Sequence, residues 1–185
     1  MHLTVTSKLN DITPITATFS STHIRDTDKS TLHLHRVPKQ TGGATVIGVS
    51  IDGGISMHHA KCDPRDGFSR RLGTLMCLDR FVDQTLRSQN PSKAWSIVSY
   101  RCDANGYYLI VESRPRPEYP TNGSVREKEA FRVLETRRAW ERVTALASSF
   151  KSGKWVEYTT MPKEDTDDVV YTKKAKRVYQ KTNAS

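Results

Sequence analysis

Two stretches of alternating apolar and polar residues, each folded back at a glycine turn, constrain this chain most: TVIGVSIDGGISMHHAK over 45–61 and AWSIVSYRCDANGYYLIVES over 94–113. Successive side chains of a strand point to opposite faces, and Asp-Gly or Asn-Gly between such runs signals a hairpin. In the first hairpin a three-residue loop at Asp52, Gly53 and Gly54 pairs Ile51 with Ile55 and Val49 with Met57, a better buried face than a two-residue Asp-Gly turn offers. His59 then faces the core across from Ile47, and His58 faces outward. In the second, a two- or four-residue loop leaves Val98, Tyr100, Cys102, Leu109 and Val111 on one face. Ser99, Arg101, Tyr108 and Ile110 share the other, so that Tyr108 beside Arg101 makes a pairing that an RNA-stacking sheet can use.

Period two also runs through the first 40 residues. HLTVT aligns Leu3 with Val5, ITATF aligns Ile15, Ala17 and Phe19, and TLHLHRV aligns Leu32, Leu34 and Val37 with His33 and His35 turned the other way. Further strands are expected there. KWVEYTTMP is one more candidate.

The stretch CDPRDGF after the first hairpin reads as a helix entrance, with Asp63 as N-cap, Pro64 in the first turn and Asp66 near the acidic position of a capping box. The helix is expected from Pro64 to about Arg87, with Phe68, Leu72, Leu75, Val82 and Leu86 on its apolar face and Met76 and Leu78 at the margins. Asp79 lies within that stripe and requires a partner such as Arg71, Arg101 or a backbone amide. Ser69, Gly73 and Cys77 form a track of small residues at helical spacing. Glycine there costs about 1 kcal/mol relative to alanine, which fits a close approach by another helix of the fold or by a phosphate backbone or protein partner. Arg70, Arg71 and Arg80 flank it.

A second helix is expected from Val125 to about Ser149, opened by a Ser124 to Glu127 capping box and closed near Gly153. Its apolar face would carry Val133, Trp140, Val143, Ala147 and Phe150. Arginines and glutamates alternate elsewhere, as on a solvated, ion-paired face. The prolines of 114–123 make an extended connector before it. These elements add up to an α+β fold in which an antiparallel sheet built from hairpins carries two long helices on one face. One domain is expected over 1–160, followed by an acidic and then basic tail over 161–185.

Lys and Arg number 29 against 20 Asp and Glu in 185 residues, a formal charge of +9 that favours polyanionic partners. Lys173, Lys174, Lys176 and Arg177 of the tail could lie on phosphates. Cys62, Cys77 and Cys102 have no C-x-x-C spacing, which fits a reducing cytoplasm. No run of apolar residues approaches the roughly 18 to 20 that span a bilayer.

His58, His59, Cys62 and Asp63 crowd together in sequence, yet adjacent strand residues point apart and cannot share one ion unless a bulge re-aims one. His58 could still meet His33 or His35 with Cys62, but the favoured reading is one packed and one solvated histidine, with no metal or other cofactor. The chain carries no G-x-S-x-G, P-loop, H-E-x-x-H or dinucleotide glycine pattern, and no glutamate precedes Glu112. A non-enzymatic role is therefore favoured.

Asp66-Gly67-Phe68-Ser69-Arg70-Arg71-Leu72-Gly73, with the preceding strand and the later Arg80, resembles a segment of small uncharacterised bacteriophage proteins. The resemblance covers about twenty residues. It implies a phage setting inside a bacterial host cell and a part in host takeover or nucleic-acid handling. Three functions compete. The first is a regulatory protein binding nucleic acid or a nucleoprotein complex through basic helix faces and tail, with Arg70, Arg71, Gly73, Arg80, Arg101, Tyr108 and the four tail cations as contacts. The second is an inhibitor of a host defence or transcription protein. The third is a metal-dependent nuclease.

Overall fold

The computed structural model describes residues 1–25 and 41–159. Among them are strands β1 (His2–Ser7), β2 (Ile15–Arg25), β3 (Thr41–Ile51), β4 (Gly54–Gly67), β5 (Lys93–Cys102), β6 (Gly106–Pro115) and β7 (Val156–Glu157). Helix α1 (Arg70–Gln89) links β4 to β5, and helix α2 (Val125–Ser148) links β6 to β7. The strands form one sheet in the order β4-β3-β2-β1-β6-β5-β7. The α+β class expected from the sequence holds, but the sheet is mixed. β1 and β6 run parallel, from His2 beside Gly106 to Ser7 beside Val111. Turn chemistry fixes pairing only within each hairpin. How the second hairpin docks on β1 depends on the α1 crossover, of which the alternation carries no sign. Gly106 permits that docking: its φ is 154°, and a Cβ there would stand 2.1 Å from the His2 carbonyl oxygen.

The alternation of β1 and β2 appears as expected, with Leu3, Val5, Ala17 and Phe19 buried. The strand expected around Leu32, Leu34 and Val37 lies outside the described residues. The first hairpin corrects the expected register. Its turn has two residues, Asp52 at φ 48° and Gly53 at φ 83°, which is the positive-φ turn whose twist matches that of its strands. Ile51 therefore pairs with Gly54, Gly48 with Met57 and Ile47 with His58. His58 is the buried histidine and His59 the exposed one, while Ile55 and Met57 remain 75% and 66% exposed.

The second hairpin has the four-residue form of its loop, with Cys102 paired to Tyr107 and Tyr100 to Leu109. A register shift between Ile97 and Ser99 puts one extra residue, Val98, into β5. A bulge of this kind reverses the alternation. Ile97, instead of Val98, joins Tyr100, Leu109 and Val111 in the core cluster.

The helix entrance also moves. β4 continues through the stretch expected to start the helix, and Thr41 pairs with Gly67 across a second register shift. Pro64 has no N–H to give to a ladder and sits where pairing is interrupted. Asp63 is not an N-cap: its carboxylate accepts from the Arg65 backbone N–H at 2.8 Å and from the Arg65 side chain at 3.0 Å. That hydrogen bonding pulls its pKa down to about 2. The cap is Ser69, whose Oγ accepts from the Leu72 N–H at 3.2 Å. Phe68 thus precedes the helix, and Leu78 lies in the core instead of at its margin.

α1 presses Leu75, Leu78, Phe81, Val82 and Leu86 onto the sheet face that carries Leu3, Val5, Ile47 and Ile97. Each such fully buried side chain contributes about 1.5–3 kcal/mol. The close approach at Gly73 comes from β3, not from a second helix: a Cβ there would stand 2.2 Å from Thr45 Oγ1. Cys77, one turn on, donates to the Thr45 carbonyl at 3.4 Å, and burial pushes its thiol up to about 11.

α2 opens with the expected capping box, in which Ser124 Oγ accepts from Glu127 N–H and the Glu127 carboxylate accepts from Ser124 N–H. Its expected apolar face holds only at the C-terminal end. Val143 and Leu146 are buried, and Ala147 and Phe150 pack against the core, whereas Val133 and Trp140 are 62% and 49% exposed. The residue turned to α1 is charged. Arg142 pairs with Asp79, whose other oxygen accepts from the Ile97 backbone N–H at 3.1 Å. A backbone amide was among the expected partners of Asp79; Arg71 and Arg101 are not its partners.

Candidate nucleic-acid interface

Helix α1 and the C-terminal end of α2 pack on the Leu3 and Val5 side of the sheet. The opposite face is open along β2, where Thr16, Thr18, Ser20 and Thr22 are exposed, and closes toward Arg114, which reaches Glu135 of α2. In β1 and β2 that face carries mainly the polar halves of the alternating strands, and in β4 it carries the exposed Ile55 and Met57. Thr16 of β2 pairs with Thr4 of β1, Thr4 pairs with Tyr108 of β6, and Tyr108 pairs with Arg101 of β5. The result is one cross-strand row of four side chains that are all partly or fully exposed. Thr18, Ser20 and Thr22 extend the hydroxyl surface along β2.

The row ends in a stack. The Arg101 guanidinium lies 4.5 Å from the centroid of the Tyr108 ring and 5.4 Å from that of Trp155. Trp155 immediately precedes Val156, which pairs with Tyr100, so β7 brings the indole alongside Arg101. Trp155 is 44% exposed. Asp103 forms an ion pair with Arg101, its Oδ2 3.6 Å from Nε, and its Oδ1 accepts from the turn amides of Asn105 and Gly106 at 2.9 and 3.2 Å. Two aromatic rings flanking a guanidinium on an open sheet are suited to take unstacked bases and to hold a phosphate beside them. Trp155 was not among the residues singled out from the sequence. Its only signal was its place at the head of a candidate strand.

The remaining candidate contacts do not gather at this stack. Arg71 donates to the Ala147 carbonyl at 3.2 Å and lies over the Phe150 ring at 4.1 Å, holding the end of α2 against α1. Arg80 donates to the His59 carbonyl. Arg70 is exposed, and its charge adds to the burial that lowers the pKa of His23. Gly73 is occupied by Thr45 of its own chain. Lys173, Lys174, Lys176 and Arg177 lie outside the described residues.

The histidines at the first hairpin also separate. His58 Nε2 is 3.1 Å from Ser56 Oγ, and its ring meets Phe81 edge to face at 5.5 Å. Burial lowers its pKa, with the charge of Arg80 adding to the effect. Among the described residues no three His, Cys, Asp or Glu side chains are gathered as a metal site requires, and His33 and His35 lie outside them. No helix among the described residues is long and apolar enough to cross a membrane.

A second concave region lies between the two helices. A cleft of about 400 Å³ is bounded by α1, the ends of β5 and β6, the connector at 116–119 and α2. Arg114 pairs with Glu135 in its lining at 3.1 Å, and Arg138 meets the same carboxylate at 3.1 Å from α2 itself. Comparison with protein-family models, with curated proteins and with solved structures returned no match.

Proposed function

We propose that this chain is a non-enzymatic nucleic-acid-binding protein that takes single-stranded segments on the open face of its sheet. The reading rests on the Tyr108, Arg101 and Trp155 stack at the end of an exposed hydroxyl row. Stacking on aromatic rings is sequence-tolerant, because every base has a π-face, and a neighbouring guanidinium adds charge for the backbone. The net charge of +9 supports the same partner class. A regulatory role on nucleic acid or a nucleoprotein complex, in the phage setting implied by the segment around Arg70, is the biological form of this proposal. Salt tests it. Anisotropy of a labelled single strand and a labelled duplex should show the single strand preferred, with affinity falling steeply between about 50 and 200 mM salt. Binding of neither at low salt would remove the proposal.

The competing reading, an inhibitor of a host protein, has its own support in Ile55 and Met57. They stand 75% and 66% exposed on β4, the edge strand of the sheet. Exposed apolar residues on an open edge offer a partner both a strand to pair with and side chains to cover. A stoichiometric complex recovered from nuclease-treated bacterial lysate with the wild type, and lost on Ile55→Lys with Met57→Lys, would favour it.

A further inference from the structure

We infer that the cleft between α1 and α2 is a binding site for a small phosphate monoester. Six arginines line it, Arg80, Arg87, Arg114, Arg116, Arg132 and Arg142, against the carboxylates of Asp79, Asp83 and Glu135. The difference, six minus three, leaves the lining three positive charges in excess. Most of the pairing is internal: Arg142 meets Asp79, Arg87 meets Asp83 and Arg114 meets Glu135. Arg116 and Arg132 at the rim are exposed and form no ion pair among the described residues.

Three donors of the lining also lack partners. Arg87 Nε, Trp95 Nε1 and Arg142 Nε are all buried and have no hydrogen-bond partner among the described residues. Arg142 and Trp95 are 8% and 5% exposed as whole residues. All three atoms can only donate. They are three of seven buried side-chain polar atoms without a partner among the described residues, and each is itself closed to solvent, so it is the lining's surplus of guanidinium charge, with Arg116 and Arg132 outside any ion pair, that points to a ligand bringing acceptors and negative charge. A tetrahedral oxyanion brings several on one centre, and guanidinium groups hold it best.

The rest of the lining describes what carries the oxyanion. Met76 and Ala139 are apolar, and Tyr119 meets Phe131 edge to face at 5.3 Å. A volume of about 400 Å³ falls in the range of small-molecule sites and exceeds what a lone phosphate fills. A planar ring joined to a phosphate fits both parts. The Arg101 stack shares no residue with the lining of this cleft, so this inference and the proposed function stand or fall separately.

The test follows the Trp95 indole N–H by NMR while inorganic phosphate, adenosine monophosphate or adenosine replaces chloride or buffer at constant ionic strength. The expected result is a saturable shift with phosphate, a tighter one with the monophosphate, and none with adenosine alone. Arg87→Gln should weaken binding by about tenfold or more, the loss of one charged hydrogen bond. Arg116→Ser with Arg132→Ser changes only exposed rim cations, and should weaken binding even if the Arg87 variant folds poorly. No saturable shift, an equal response to adenosine, or affinity unchanged in the rim variant would overturn the assignment.

Discussion

Asp79 and Arg142 are the residues whose chemistry binds the two helices to the sheet. Their side chains are 8% and 9% exposed, and the pair also reaches the backbone of β5 through Ile97. Burial drives the Asp79 pKa upward, and Arg142 opposes that shift. Such a pair is weak evidence of net stability, but half of it is worse than none, because the survivor is a buried unpaired charge. Asp79→Ala or Arg142→Ala alone should each cost about 3–5 kcal/mol in denaturant unfolding, and Asp79→Leu with Arg142→Met should recover much of the loss. Equal, additive losses in all variants would show that the two side chains do not interact. His58 gives a prediction in pH. Burial holds its folded pKa below the 6.5 of the exposed group, as it does for His23. The unfolded chain therefore takes up protons that the folded chain refuses, and stability is lost as pH falls below about 6.5. The melting temperature should drop between pH 7.5 and 5.5, and His58→Gln with His23→Gln should flatten that dependence.

At the scale of elements, local rules act with different strengths. The Ser124 capping box was legible because both of its partners lie within four residues, and Ser124→Ala should cost about 0.5–2 kcal/mol, read from the denaturation midpoint. The α1 entrance was misread because Asp63-Pro64 carries the same signature as a cap, while the pairing of Thr41 with Gly67 that overrides it is distant in sequence. The Val98 bulge moved Ile97 into the core without any glycine to announce it. Val133 and Trp140 have the spacing of a core stripe but stand exposed, while Phe131 and Glu135 are the residues of α2 that meet Tyr119 and Arg114. Gly73 was recognised as a close-approach site, and only the fold could name Thr45 as its neighbour. Gly73→Ala should therefore destabilise the protein by more than the helix propensity gain of about 1 kcal/mol, and Thr45→Ala should restore part of the loss. A Gly73→Ala variant that melts higher than wild type would contradict the packing described for α1 on β3.

For the whole molecule, the packing of the helices is the property from which both proposed sites follow. With α1 on one face, the other keeps the hydroxyls of β1 and β2 beside Tyr108 and Arg101, together with Ile55 and Met57 of β4, and the arginine-lined cleft lies between the helices. Arg101 beside Tyr108 was legible from the hairpin alone, since cross-strand neighbours follow from its register. Trp155 was not, because its position depends on β7 returning to the far edge of the sheet after α2. The central claim is that this face stacks bases, and the direct measurement is the affinity of a short single strand for wild type, Tyr108→Ala, Trp155→Ala and the double variant. Each ring should contribute about 1–3 kcal/mol per stacked base, so that each single variant binds roughly 5- to 150-fold more weakly and the double variant weaker still, with melting temperatures near wild type. Full affinity in the folded double variant would contradict the claim.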